Sequence, residues 1–333
     1  GCAKPAPAPA PSPKPAPSPA PAPAPAPQKA IELSWCSFLP ETFTEPTFIK
    51  KYFVDRVNEQ AKGELVIKWR GGPELFGADD IAPAVQKDVV DIGMVFVGAI
   101  EPVVPGIGAA MLSQITLDEE RQPGGAYDYM SEMYKKAGLH YFGRAHHVGG
   151  FFYCWLNKRV EKPEDLEGLM IGSSSIAVGS AAKAWGATYV PIPTKENYSA
   201  MERGVADGIC SHPASTWKSQ GCNEVTKYVI DHPYYACTLS LFMNSDKFNQ
   251  LPKHLRNLLT ETFIKAEKDI SVHAVTTQDE AMRWMVDNGD IEPIKFSPAD
   301  AKWYVEAAYN GAWEYQQERF PEVTPRLREL LTK

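Results

Sequence analysis

The chain has 333 residues, a formal net charge of −7 and 44% apolar residues. That length is too great for one compact core and predicts about two domains. The acidic balance argues against a nucleic-acid partner, and no apolar run reaches the roughly 18–20 residues that span a bilayer.

The first thirty residues form a separate segment. "AKPAPAPAPSPKPAPSPAPAPAPAPQK" alternates Ala and Pro. Proline fixes φ and lacks an N–H, so neither helix nor sheet is expected. An extended polyproline-II spacer is, with a reach on the order of 80 Å. Gly1-Cys2 ahead of this spacer resembles a processed bacterial lipoprotein signal. That resemblance implies lipid on Cys2, an anchor at a bacterial membrane and an extracytoplasmic location. Five further cysteines, Cys36, Cys154, Cys210, Cys222 and Cys237, form no CxxC or zinc spacing, so no metal is expected. Cys210 and Cys222 are the nearest pair for a disulfide.

"IELSWCSF" reads as a strand, and "EPTFIKKYFVDRVNEQAKG" as a helix with Phe48, Tyr52 or Phe53, and Val57 at helical spacing, stopped by Gly63. "ELVIKWR" is a second strand, "ADDIAPAVQKDVVDIG" a helix, and "DIGMVFVG" an apolar strand suited to burial on both faces. This βαβαβ order predicts a parallel sheet with right-handed crossovers. After the helix "GGAYDYMSEMYKKAG", the extended run "LHYFGRAHHVGGFFYCWLN" is broken at Gly149-Gly150, where a strand can pass between lobes. A second α/β unit follows from Gly168 to Gly208. "KHLRNLLTETFIKAEKDISVHAVTTQDEAMRWMVDNG" has few breakers over more than thirty residues and predicts one long helix bridging two lobes. Ligands bind at the C-terminal strand ends of such sheets. There is no nucleophile elbow, P-loop or dinucleotide motif, so neither an enzyme nor a cofactor is expected.

The stretches "GELVIKW…GPELFGADDIAPAVQKDVVDIGMV", "KPEDLEGLMI", "WGATYVPIPTKENYSAMERGVADG", "NEVTKYV" and "FNQLPKHLRNLL" occur in this order over essentially all of residues 31–333. In them the chain resembles the DctP-type substrate-binding proteins of tripartite ATP-independent periplasmic (TRAP) transporters. The resemblance implies a two-lobed α/β periplasmic-binding-protein-like fold of class II type, with mostly parallel sheets. It also implies a monomer that hands a small organic solute to small and large permease subunits. Lobe one is expected at residues 31–149 plus about 238–277, and lobe two at 150–237 plus about 278–333.

The family usually places an arginine after the "GLxI" strand to pair with a ligand carboxylate. Here that position is Gly172. A second arginine position falls on Phe152, a polar position on Phe96, and an asparagine position near His212. A desolvated carboxylate needs a partner of good geometry, which Gly172 and Phe152 do not supply. The expected ligand-binding set is therefore Trp35, Cys36, Phe38, Phe96, His147, Phe152, Trp155, Gly172, Ser173, Ser174, His212 and Trp217. The expected solute is an aromatic or apolar mono-acid, or a weakly charged compound. Two alternatives stand beside it. One is an ordinary small carboxylate held by a relocated cation at Arg144 or His147. The other is a membrane-tethered protein that presents its ligand to a receptor.

Overall fold

A computed structural model of the chain describes residues 1–4, 29–144, 151–289 and 291–333. Most of the Ala/Pro segment, the Gly149-Gly150 crossing and His147 lie outside the described residues.

The chain forms two sheets. The first contains β1 (Ile31–Ser37), β2 (Leu65–Gly71), β3 (Ile92–Phe96), β4 (Leu139–Arg144) and β10 (Leu239–Asn244), in the order β2-β1-β3-β10-β4. β1 runs parallel to both β2 and β3, as the βαβαβ pattern requires. β10 enters from the other half of the chain and pairs antiparallel with β3 and β4, so the sheet is mixed. The second sheet contains β5 (Phe152–Leu156), β6 (Met170–Ser173), β7 (Thr188–Pro191), β8 (Gly208–Ile209), β9 (Tyr228–Tyr234) and β11 (Glu292–Ile294). Its order is β11-β9-β5-β8-β6-β7. β6 is parallel to β7 and β8, while β5, the strand that arrives from the crossing, is antiparallel to both its neighbours. The antiparallel pairs thus all involve β5 or β10, each the first strand after the chain has changed sheets.

Local chemistry sets the elements. β3 is buried on both faces until Phe96, which ends the strand at φ −65°, ψ 137° and caps the short helix Val97–Ile100. The first helix runs through Thr44–Ile49, a π turn at Lys50–Val54, and Asp55–Gln60. Tyr52 and Phe53, adjacent in sequence, are both buried on the widened turn. Gly63, at φ +87°, turns the chain towards β2.

The helix Lys253–Asp287 has 35 residues. Leu255, Leu259, Phe263 and Ile270 pack into the core beneath β1, β2 and β3. Ala281 and Met285, near its other end, pack with Ile209 and Trp217 of the second sheet's side. Each buried Leu, Ile, Phe or Met side chain among these contributes about 1.5–3 kcal/mol. The helix Pro298–Arg319 lies on the helix Ile176–Ala184, and the last helix, Thr324–Leu331, rests on Ile107–Leu112 and Ala126–Lys136. Among the described residues no helix is long and apolar enough to cross a membrane. All six thiols are free, so Cys210 and Cys222, the nearest pair in sequence, are not bonded. Those two residues sit in different apolar clusters.

Candidate ligand-binding cleft

The strand ends of both sheets converge on one place. From the first sheet come Phe38 just past β1, Phe96 at the end of β3, and Leu239, which pairs with Phe96. From the second come Phe152 at the start of β5, Ser174 after β6, and Ser211 and His212 after β8. Between them lies a cavity of about 90 Å³. A wider compartment of about 670 Å³ adjoins it and shares Phe38, Phe96, Ser174 and Thr194. The Phe96 and Phe152 rings, both on the cavity wall, pack on each other with centroids 6.2 Å apart and planes tilted by 44°.

His212 has φ +75°, a left-handed conformation that costs a residue with a Cβ roughly 1–2 kcal/mol. Its surroundings enforce it. The Trp155 indole N–H donates to the carbonyls of Ser211 (3.1 Å) and His212 (3.2 Å). Trp155 stacks on Trp217 at 5.2 Å and 6°, and Trp217 donates in turn to Thr226 Oγ1 at 3.0 Å. The imidazole lies over Trp217. Its Nε2 and the Ser211 hydroxyl are sealed from solvent and have no hydrogen-bond partner among the described residues. Burial pushes the His212 pKa down to about 4, so the ring is neutral at ordinary pH.

Glu45 is the polar group that sequence reasoning missed. It lies in the first turn of Thr44–Ile49, is 5% exposed, and lines the cavity. Its carboxylate accepts from Thr216 Oγ1 at 3.2 Å, a bond that joins elements on opposite sides of the cavity. Burial pushes its carboxyl above the ordinary range. An acid in a first helical turn ordinarily reads as a partner of the helix dipole. The available signal was its phase: Glu45, Ile49 and Phe53 recur at i, i+4, i+8, which puts a charge on the apolar stripe.

The remaining sequence candidates lie elsewhere. Trp35 and Cys36 point to opposite faces of β1, and both faces are covered. Trp35 packs edge-on against Trp69 at 4.6 Å. Gly172 sits between Ile192 and Ile209, and a Cβ there would lie 2.5 Å and 2.6 Å from their Cδ1 atoms. The Ser173 hydroxyl is tied to Ser175. Trp155 and Trp217 lie behind the wall and hold His212. Arg144 is fully buried, ion-paired with Glu120, and donates to the Ala110 carbonyl at 3.0 Å. Phe38, Phe96, Phe152, Ser174 and His212 are the sequence candidates that line the cavity.

The family model of DctP, bacterial extracellular solute-binding protein family 7, matches residues 37–318. The chain belongs to this family. It is thus a bacterial extracellular solute-binding protein of DctP type. A solute-binding protein of Albidiferax ferrireducens is 22% identical over 274 residues, which are 79% of this chain and 78% of that one. The fold matches a TRAP periplasmic solute-binding protein of Desulfovibrio salexigens with bound orotic acid. The TM-score is 0.79 at 18% identity, over 90% of this chain and 97% of that one. A TRAP solute-binding protein of Marinobacter aquaeolei in an apo open form matches with a TM-score of 0.78 at 19% identity. That match covers 91% of this chain and all of the other.

Proposed function

We propose that this DctP protein captures a small organic solute with a substantial apolar or aromatic part and delivers it to a TRAP-type permease. Its role is binding, with no catalytic step. The observation that carries this reading is the cavity wall itself. Phe38, Phe96 and Phe152 supply apolar surface, and beside them Ser211 Oγ and His212 Nε2 have no partner among the described residues. Buried polar groups are ordinarily bonded, so a ligand group completes them. Small di- or tricarboxylates fit poorly, because among the described residues no lysine or arginine lines the inner cavity to pair with two desolvated charges.

A thermal-shift screen of small acids, cyclic amides, amines and aromatic compounds, followed by calorimetry, tests the reading. A solute at 100 times its dissociation constant adds about 2.7 kcal/mol. Tight hits confined to small polyanions would overturn the apolar specificity, and no hit in a broad screen would overturn solute binding.

We divide the molecule into lobe one at 31–149 plus about 238–277, and lobe two at 150–237 plus about 278–333. The membership of the two sheets supports this division, although the last helix leans across onto Ile107–Leu112. We also propose lipid on Cys2, with the Ala/Pro segment as a spacer that holds a monomeric binding domain outside the cytoplasm. Composition alone supports that reading. Intact mass of protein taken from native membranes tests it, and an unmodified Cys2 would overturn it.

A further inference from the structure

Among the described residues, the cavity holds a buried acid and no buried cation to match it. Among the described residues, no lysine or arginine lines the inner compartment. Cations of the surrounding elements lie outside the inner compartment. Arg144 pairs with Glu120, and Arg121 Nη2 donates to Glu267 at 2.7 Å. Lys218 shares a helix with Thr216 but holds its ammonium 4.1 Å from the Trp284 ring centroid. Arg319 lines only the outer compartment, beside Asp79 and Glu101. Among the described residues, the other titratable groups that line the inner compartment are His212 and Cys237; burial keeps the first neutral and raises the thiol pKa of the second.

We propose that the inner cavity takes the nitrogen-borne head of its solute, a protonated amine or amidine whose N–H groups donate to Glu45. The inference rests on the reading that this cavity is the solute site. Ser211 Oγ and His212 Nε2 offer further bonds to the same head, and the contacting Phe96 and Phe152 rings give the body of the solute an apolar wall to lie on. A cation suits such rings, whose faces carry negative partial charge. A carboxylate head fits worse. Among the described residues it would meet neutral donors only, and beside Glu45 one of the two carboxyls would have to stay protonated. A cationic head converts the same acid into half of a buried, hydrogen-bonded ion pair, the arrangement in which a buried charge is tolerated.

Benzamidine and benzoate test the idea, because they share shape and differ in the sign of the head. Binding of each is measured by calorimetry to the wild-type protein and to E45Q, which keeps the size of the side chain and an acceptor for Thr216. Thermal melts verify that the variant is folded. The expected result is benzamidine binding at least tenfold more tightly than benzoate, with the preference lost in E45Q. Benzamidine affinity should also rise with pH as Glu45 ionises, and should level off once it has. Benzoate binding equal to or tighter than benzamidine overturns the proposal. So does a preference that survives E45Q, or the binding of neither compound. If an anionic solute binds and F152L weakens it, the cavity is still the solute site and only the cationic assignment fails. If nothing in a broad screen binds, both fail.

Discussion

His212 combines a strained backbone with a side-chain nitrogen that has no partner among the described residues. Strain of this kind persists where the surroundings over-determine it, and here two stacked tryptophans do so. The sequence pattern drew attention to His212 through the family resemblance. It also singled out Trp155 and Trp217, which shape the site from behind. Burial holds the folded-state His212 pKa at about 4, below its ordinary 6.5. A depressed pKa contributes stability that is complete above 6.5 and is lost as pH falls through about 4. H212N, which tolerates a left-handed backbone, should therefore lose less stability than the wild type between neutral and mildly acid pH. Urea midpoints across that range measure the difference. At Phe152, F152L should keep the fold yet weaken an aromatic solute by about 0.5–1.5 kcal/mol, read by calorimetry. Unchanged affinity would remove that ring from the binding surface. Gly172 shows what spacing alone does not reveal. The motif places it on a cleft strand, whereas its missing side chain would point into Ile192 and Ile209. That orientation depends on a packed sheet, which one sequence does not display.

At the scale of elements, periodicity served well where one element buries one stripe. β1, β2, β3 and the 35-residue helix follow their patterns. The antiparallel entries of β5 and β10 did not show, because strand direction depends on which segments meet, at long sequence separation. The long helix also carries a device that its sequence hides. Gln278, 3% exposed, accepts from the Ala214 N–H at 2.6 Å and donates to the Phe151 carbonyl at 3.0 Å. One side chain thereby fixes both the start of the helix Ala214–Ser219, which carries Thr216 and Trp217, and the residue before Phe152. Q278L would leave the buried Ala214 N–H without this acceptor. The expected cost is about 1–3 kcal/mol, measured by denaturant unfolding. Solute affinity should fall with it, because both walls of the cavity lose a tether. A loss of stability with binding intact would make Gln278 a support of the core alone.

At the scale of the whole molecule, apolar packing is continuous across the cavity. It runs from Ile81 and Val95 through Phe152 to Trp185 and Tyr304. A ligand that prefers the closed arrangement shifts the population towards it by its differential affinity. If the two lobes close on solute, small-angle scattering should show a smaller radius of gyration at saturating solute, and no change would defeat such closure. Two hydrogen bonds tie opposite sides together, Thr216 to Glu45 at 3.2 Å and Gln316 to Glu101 at 2.8 Å. In both, burial raises the carboxyl's pKa. Groups raised in this way favour the arrangement that buries them at low pH, and the advantage fades as pH rises through the raised values. Without solute, scattering should show more compact molecules near pH 5 than near pH 8, with a weaker trend in E45Q; a pH-independent radius would refute the coupling.

The Thr216–Glu45 bond has one more consequence. A proton and a cationic solute would be rivals for the same carboxyl. An empty molecule would close by taking up hydrogen ions, and a loaded one by giving one back. Delivery at the permease would then be sensitive to the acidity of the compartment, and an acid milieu would favour release by refilling the carboxyl that the departing solute vacates.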